Sequence, residues 1–334
     1  MKIVNLTEEE QKTLVADEGY EGLVSLCTLG SINWGKYSKP TEMRRAVRTL
    51  VRSLDNILRY QDFLSEQSLR SNQWFRPLGI GVTNLAYWHA KRGLKYGSPE
   101  ALAEVKTWME HMTFYAIEMS NELAQKLGPC EKSSSTAYGQ GVFRWELRVS
   151  GVDELTDFTP DPSLDWENLR TNLLKYGIRN AVLMALPPVE SSSVVINSTN
   201  GIEYVKELIV TKEAKGKKLV QVAPEYNKLK NVYEKLRDQR DCFAYLKTAA
   251  VLQVYADQGI STNTFDSAKW FEGGMIDITE YANVIMYAIK WGLNTLYYHI
   301  PDKEGAKVNT DDDAPIEMLD DLPEDDDVCE SCVL

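Results

Sequence analysis

Two thiols near the end of the sequence have the spacing of a redox-active pair. Cys329 and Cys332 are separated by two residues, a spacing that allows a short-loop disulfide or supplies half of a zinc site. The histidines, His89, His111 and His299, are far from this pair in the sequence, so a closed four-ligand zinc site is not expected. Two interpretations stay open: a dithiol that swings into a pocket, or two exposed thiols on a frayed end.

Two adjacent tyrosines form a second candidate for chemistry. Tyr297 and Tyr298 follow a predicted helix and lie in a strand that looks buried. Aromatic residues in strands usually belong to the core, which is the alternative interpretation. Neighbouring residues of a regular strand point to opposite faces, so two stacked phenols would require a break in the strand geometry.

A cluster of hydroxyl groups follows two prolines. Glu190, Ser191, Ser192 and Ser193 come directly after a predicted strand. If a helix begins there, its free backbone N–H groups and the serine hydroxyls can bind an anion. The alternative is an ordinary helix cap and turn.

A single cysteine in an apolar run is the fourth candidate. Cys27 lies between Leu26 and Thr28, and a lone cysteine in such a setting is usually a packing residue. Its position alone does not distinguish packing from thiol chemistry.

Composition limits the classes of protein that can carry these residues. The chain has 334 residues, 43% of them hydrophobic, and a net charge of −12, which argues against a nucleic-acid-binding surface. We find no apolar run long enough to span a membrane and no signal peptide, so we expect no membrane partner. The five cysteines are too few and too scattered for a secreted disulfide framework, and a reducing cytoplasm fits best.

The elements that must position these residues alternate between helix and strand. Apolar spacing predicts helices at residues 40–64, 101–127, 228–257 and 278–291. Short apolar runs predict strands at residues 77–82, 178–186, 260–264 and 293–300. This alternation implies parallel strands joined by helical crossovers. A β-hairpin is predicted from residues 202–210 and 217–223, and an acidic, flexible tail from residues 309–334.

Short motifs in a fixed order connect these candidates to one family. They are LCTLGSIN (26–33), LGIGV (78–82), SNEL (120–123), GIRN (177–180), PVESSS (188–193), STNGIE (198–203), ISTN (260–263), TLYY (295–298) and the cysteine pair of the tail. Together they resemble the large subunit of class I (aerobic) ribonucleotide reductase, and the resemblance runs from about residue 20 to residue 334.

The resemblance implies an architecture. Residues 20–308 are expected to form the C-terminal half of a ten-stranded α/β barrel, with the β-hairpin added to it. Residues 309–334 would be the tail that carries the redox pair. Residues 1–19 match the family poorly and are expected to be an N-terminal extension.

The resemblance also implies roles for residues. A small subunit with a di-iron site makes a tyrosyl radical, which enters through two tyrosines that Tyr298 (outer) and Tyr297 (inner) match. Cys27 matches one of two thiols that reduce the ribonucleoside diphosphate. The dithiol of Cys329 and Cys332 matches the pair that regenerates them and is reset by thioredoxin or glutaredoxin. The residues matching the substrate-diphosphate loop are Glu190, Ser191, Ser192 and Ser193.

One departure limits what the chain can do alone. The Asn-x-Cys-x-Glu motif of the family's radical cysteine is absent, because none of the five cysteines is flanked in that way. We therefore expect a second polypeptide, with the N-terminal half of the large subunit, to supply that cysteine. The initial Met1 fits an independent chain from a split gene, or an engineered truncation. The alternatives are a non-catalytic paralogue that binds the small subunit, and a dithiol-redox or metal-binding protein.

Overall fold

The computed structural model of the chain describes residues 22–26, 28–63, 65–214 and 217–302. The predictions for Cys27, for Cys329 and Cys332, for residues 1–19 and for the acidic tail fall outside these ranges.

Helices outnumber strands along the described chain, and the strands are separated mostly by one or more helices. In order, they are β1 (Thr28–Asn33), α1 (Arg44–Tyr60), α2 (Glu66–Phe75), β2 (Leu78–Thr83), α3 (Leu85–Arg92), α4 (Pro99–Leu127), α5 (Trp166–Tyr176), α6 (Glu190–Val195), β3 (Ile209–Ala214), β4 (Lys217–Val222), α7 (Tyr226–Leu229), α8 (Phe243–Tyr255), β5 (Thr262–Ser267), α9 (Ile278–Lys290) and β6 (Leu296–Asp302). Short 3-10 helices fill several connections, above all between α4 and α5.

The parallel strands predicted from the sequence are present. β1 pairs with β2 and β5 pairs with β6, both in parallel. Residues 182–186 connect the two pairs, since Met184 bridges Ile80 of β2 and Leu186 bridges Ile260 just before β5. The fold is thus mixed α/β with parallel strands, and the residues that the structure describes do not close into a barrel.

Helices cover the strands and bury an apolar core. α1 packs against β1 and the long α4, and α4 packs against α8. Trp34, Trp88 and Trp108 lie at the centre of this packing with no appreciable exposure, and their ring centroids are 5.3–5.7 Å apart. The apolar residues of β2 are all buried, which agrees with a strand covered on both faces.

The prediction of one helix over residues 228–257 is wrong. The helix α8 begins only at Phe243, and the preceding segment holds the short α7 and a 3-10 helix at Leu236–Asp238. Tertiary contacts explain the break: the Leu236 N–H donates to the Val205 carbonyl at 2.9 Å, and Glu234 accepts a hydrogen bond from the Tyr96 N–H. These bonds, with the bridge between Val205 and Lys235, fix the segment against Val205 and Tyr96, and local helix propensity cannot overcome them.

The prediction of a regular strand at residues 178–186 is wrong, since this segment does not form a continuous strand. Its backbone forms only isolated bridges, because the N–H groups of Leu183 and Met184 donate to the carboxylate of Asp257 at 2.9 and 2.8 Å. The Asp257 side chain thus accepts the two N–H groups that would otherwise bond to a neighbouring strand.

The β-hairpin is confirmed, with a later start than predicted. β3 and β4 pair antiparallel from Ile209 with Val222 to Ala214 with Lys217. Residues 202–208 do not belong to it, because Ile202, Tyr204 and Val205 are buried in the core.

Candidate functional site

Polar side chains meet where the parallel strands β1 and β2 end. The amide of Asn84, which follows β2, donates to the side chain of Asn33 at the end of β1 (2.9 Å). The Asn84 side-chain oxygen accepts hydrogen bonds from the N–H and hydroxyl of Thr199 (2.8 and 3.2 Å). Loops at the carboxyl ends of parallel strands are the usual place for a binding site in α/β proteins.

The serine cluster forms a short helix at this end of the strands. Within α6, Glu190, Ser191 and Ser192 are exposed. Ser193 is buried, and its hydroxyl donates to the Glu190 carbonyl at 2.8 Å. The carbonyl of Ser193 accepts the Ser198 N–H at 2.8 Å, which returns the chain toward β2. The first three residues are therefore free to meet a ligand, while Ser193 shapes the turn.

A cleft of about 320 Å³ opens beside this helix and is bordered by the β-hairpin. Polar residues that line it include Glu190, Ser193, Asn200, Glu203, Lys206 and Gln221. The polar lining, which includes three glutamates and one lysine, suits a polar ligand, and the adjacent helix start can contact an anionic group of that ligand.

The carboxyl of Glu203 in this cleft has a raised pKa. Burial raises the pKa of its carboxyl, although hydrogen bonds from Asn263 and Asn200 act in the opposite direction. Asn200 also accepts a hydrogen bond from the N–H of Val189, the cap residue of α6, at 2.8 Å.

Tyr297 and Tyr298 form an exposed pair of phenols in contact. Their side chains are 54% and 60% exposed, and their ring centroids are 4.1 Å apart. A hydrogen bond between them raises the pKa of Tyr297. The expectation of a buried strand is wrong at these positions, because both rings face outward rather than into the core.

A register shift in the strand pair brings the two rings together. Thr262 pairs with Leu296 and Thr264 pairs with His299, so the two tyrosines lie opposite Asn263 alone. Such a bulge interrupts the alternation of side chains and allows neighbours to share one side. The Tyr298 N–H donates to the Asn263 side chain at 3.1 Å. The break in strand geometry that two stacked phenols require is therefore present.

The cysteines within the described ranges are unsuited to thiol chemistry. Cys130 and Cys242 are buried and unpaired. Burial raises their pKa values to about 12 and about 11, so they remain protonated near neutral pH.

In the ranges that the structure covers, no three potential metal ligands among His, Cys, Asp and Glu cluster together. No helix in these ranges is long and apolar enough to cross a membrane.

Several site residues were not found by sequence reasoning about chemistry. Asn84, Asn200, Glu203 and Asn263 all lie at strand ends or in the loop after α6, yet lone asparagines carry little signal in a sequence. The clue that the sequence offered was the position of Asn84 close behind the apolar run at residues 78–82, whereas Asn263 lies inside the strand predicted at residues 260–264.

The site and the fold define a class of protein: an α/β domain with a polar cleft at the ends of its parallel strands and a pair of contacting tyrosines on its last strand. A family model for the barrel domain of ribonucleotide reductase matches residues 3–299. The chain belongs to this family.

Curated relatives agree with that assignment. The alpha subunit of ribonucleoside-diphosphate reductase from Buchnera aphidicola subsp. Baizongia pistaciae is 38% identical over 293 residues, which are 87% of this chain and 38% of the relative. The corresponding Haemophilus influenzae subunit is 37% identical over 86% of this chain and 37% of its own length. The alpha subunit of ribonucleoside-diphosphate reductase 1 from Escherichia coli is 34% identical over 77% of this chain and 34% of its own length. The chain thus spans somewhat over a third of the length of these relatives.

Proposed function

We propose that this chain is the C-terminal catalytic part of a class I ribonucleoside-diphosphate reductase. The reaction replaces the 2′-hydroxyl of a ribonucleoside diphosphate by hydrogen, releases water and converts two cysteine thiols to a disulfide. The observation that carries the proposal is the contact between Tyr297 and Tyr298, with ring centroids 4.1 Å apart at a strand bulge. Contacting, exposed phenols can pass an oxidising equivalent from a partner surface inward.

The tyrosine pair is proposed as the radical entrance. Tyr298 would receive the equivalent from a small subunit that holds a di-iron tyrosyl-radical site, and Tyr297 would pass it onward. Each phenol must lose a proton with its electron, and the hydrogen bond between the rings supports such an exchange. This chain itself is proposed to bind no cofactor.

The substrate diphosphate is proposed to bind at the start of α6. Glu190, Ser191 and Ser192 are exposed, and Glu190 lines the cleft. The start of a helix directs backbone N–H groups toward an anion. Ser193 would act by holding the turn, since its hydroxyl is already bonded to the Glu190 carbonyl.

Thiol chemistry is proposed for the remaining cysteines. Cys27 would be one of the two thiols oxidised during reduction, and Cys329 with Cys332 would reduce the resulting disulfide by thiol exchange. Thioredoxin or glutaredoxin would then reset the tail pair. The high pKa values of Cys130 and Cys242 support this division, because a protonated thiol is a poor nucleophile. A reducing cytoplasm suits this cycle.

A second polypeptide is proposed to complete the site. The sequence has no Asn-x-Cys-x-Glu motif, and the resemblance also leaves the thiol partner of Cys27 unmatched. The second polypeptide would supply both cysteines. Within this chain, residues 1–19 are proposed to be an N-terminal extension, residues 20–308 the half barrel and residues 309–334 the tail that carries the redox pair.

Reduction of a labelled ribonucleoside diphosphate tests the proposal. The chain is assayed alone, then with the host chain that carries the N-terminal half, and finally with the small subunit and thioredoxin added. We expect product only in the complete mixture. A stable complex without any product would contradict catalysis and favour a binding-only paralogue.

A further inference from the structure

A continuous series of side-chain hydrogen bonds joins the serine helix to the tyrosine pair. It begins at Val189, the cap residue of α6, whose N–H donates to Asn200 at 2.8 Å. The Asn200 amide donates to one oxygen of Glu203 at 3.2 Å. The other oxygen of Glu203 accepts from the Asn263 amide, and Asn263 in turn accepts the Tyr298 N–H at 3.1 Å.

Asn263 is the residue of β5 that lies opposite the bulge in β6, so this connection depends on the bulge. At a bulge, the extra residue lacks a partner in the opposite strand. The Asn263 side chain supplies an acceptor for the Tyr298 N–H and simultaneously donates to Glu203. An asparagine side chain can do both because its amide carries an acceptor and donors.

Glu203 lies where a ligand in the cleft would affect it. Its side chain lines the cleft together with Glu190 and Ser193, and it is held on both sides by asparagine amides. An anion bound at the start of α6 would place like charge beside the Glu203 carboxylate, which disfavours its ionised form. Protonation or displacement of this carboxylate would alter its bond with Asn263.

We propose that Asn263 is a positioning residue that couples anion binding at the serine helix to the geometry of Tyr297 and Tyr298. This rests on the proposed function, in which the serine helix binds the substrate diphosphate and the tyrosines carry the radical. Substrate binding would then adjust the radical entrance through Glu203 and Asn263.

The test uses the full chain with 3-fluorotyrosine incorporated at position 298 and inorganic pyrophosphate as the probe. Calorimetry measures pyrophosphate binding, and fluorine NMR measures the environment of the labelled ring. We expect binding to shift the fluorine signal in the otherwise unchanged protein. In Asn263→Ala the pyrophosphate affinity should be retained and the shift lost.

Two further variants separate coupling from loss of structure. Glu203→Gln keeps an acceptor for Asn263 but removes the charge, so pyrophosphate should bind more tightly while the shift is lost. Asn168→Ala alters an asparagine on the exposed side of α5 and should retain both binding and shift. If Asn263→Ala does not fold, the fluorine shift of Glu203→Gln on pyrophosphate binding still tests the coupling.

The outcomes separate the coupling from the function beneath it. Failure of pyrophosphate to bind would overturn the proposed diphosphate site and the coupling with it. Binding without a fluorine shift would overturn the coupling alone. A full shift in Asn263→Ala or in Glu203→Gln would show that the signal does not pass through these residues.

Discussion

The ring centroids of Tyr297 and Tyr298 lie 4.1 Å apart although the two residues are neighbours in one strand. In a regular strand their side chains would point to opposite faces. The register shift opposite Asn263 removes this alternation, and the Asn263 side chain accepts a hydrogen bond from the Tyr298 N–H. The contact is therefore a product of the strand pairing.

Replacement of either tyrosine by phenylalanine should abolish turnover without unfolding the protein. Tyr297→Phe and Tyr298→Phe remove only a hydroxyl from side chains that are 54% and 60% exposed, so the thermal midpoint should change little. Without the phenolic proton the ring cannot pass a proton-coupled electron, and product formation in the complete mixture should fall to background. Tyr60→Phe, at an 83% exposed tyrosine, is the matched control. Substantial activity in either test variant would refute the radical entrance.

Loss of the tail dithiol should limit the enzyme to about one turnover. In Cys329→Ser with Cys332→Ser, the disulfide formed at Cys27 could not be reduced by way of the tail. Rapid-quench measurement should give a burst of product and then no more with thioredoxin. A small dithiol such as dithiothreitol should restore turnover. Multiple turnovers driven by thioredoxin in this variant would exclude the shuttle role.

The buried thiols should resist alkylation in the native protein. Cys130 and Cys242 have pKa values raised to about 12 and about 11 by burial, so at pH 8 few of these groups are thiolates. Iodoacetamide labelling followed by mass spectrometry should leave both unmodified until denaturant is added. Rapid native labelling of Cys130 would mean that its surroundings open readily.

Removal of the Asp55 carboxylate should be strongly destabilising. Asp55 is 1% exposed and accepts hydrogen bonds from Arg76 (2.9 Å) and Asn180 (3.1 Å). Asp55→Ala leaves the buried guanidinium of Arg76 without this partner, which should lower the free energy of unfolding by about 3–5 kcal/mol. Urea denaturation measures the loss.

The exposed ion pair between Arg44 and Glu118 gives the matched control. The Arg44 side chain is 52% exposed, and exposed pairs contribute about 0–1 kcal/mol. Arg44→Ala should therefore have a small effect. Equal losses in Asp55→Ala and Arg44→Ala would contradict the importance of burial.

Titration of the Asp257 carboxyl should make the free energy of unfolding fall as the pH rises. Burial raises the pKa of its carboxyl to about 6, whereas an unfolded aspartate titrates near pH ~4. Between these pH values the folded protein retains a proton that the unfolded chain loses, so the free energy of unfolding falls with increasing pH across this window. The whole fall should be on the order of 3 kcal/mol, because a tenfold change in proton affinity corresponds to about 1.4 kcal/mol.

Urea denaturation at pH 4 and pH 7 measures this contribution. Asp257→Asn lacks the titrating group and so gains no stability from protonation at low pH. The loss of unfolding free energy in this variant, relative to the wild type, should therefore be larger at pH 4 than at pH 7. Asp62→Asn, at an exposed carboxyl, should leave the pH dependence of the wild type unchanged. A constant difference between wild type and Asp257→Asn at both pH values would refute the raised pKa.

Local patterns sufficed for the elements that depend on near neighbours. The apolar spacing around Val105 to Leu123 placed the long helix α4 within two residues at its start, and the alternation of helix and strand predicted the parallel pairing. The hairpin predicted from residues 202–210 and 217–223 is present as the antiparallel pair of β3 and β4. The motifs of the sequence also identified the family, which the match over residues 3–299 bears out.

Contacts between distant residues decided the rest. The helix predicted from residue 228 is interrupted because the backbone near Leu236 bonds to Val205. The strand predicted from residue 178 is reduced to isolated bridges because the carboxylate of Asp257 binds Leu183 and Met184. No local pattern encodes a partner that is tens of residues away.

The arrangement of the site belongs to the tertiary structure for the same reason. The sequence by itself determined which groups are present: two adjacent phenols, a serine cluster and a terminal thiol pair. The pairing of β5 with β6 decided that the phenols share one side of the strand, and the fold placed Glu203 and Asn263 between them and the serine helix. Side-chain periodicity predicts a face, whereas a register shift depends on the partner strand.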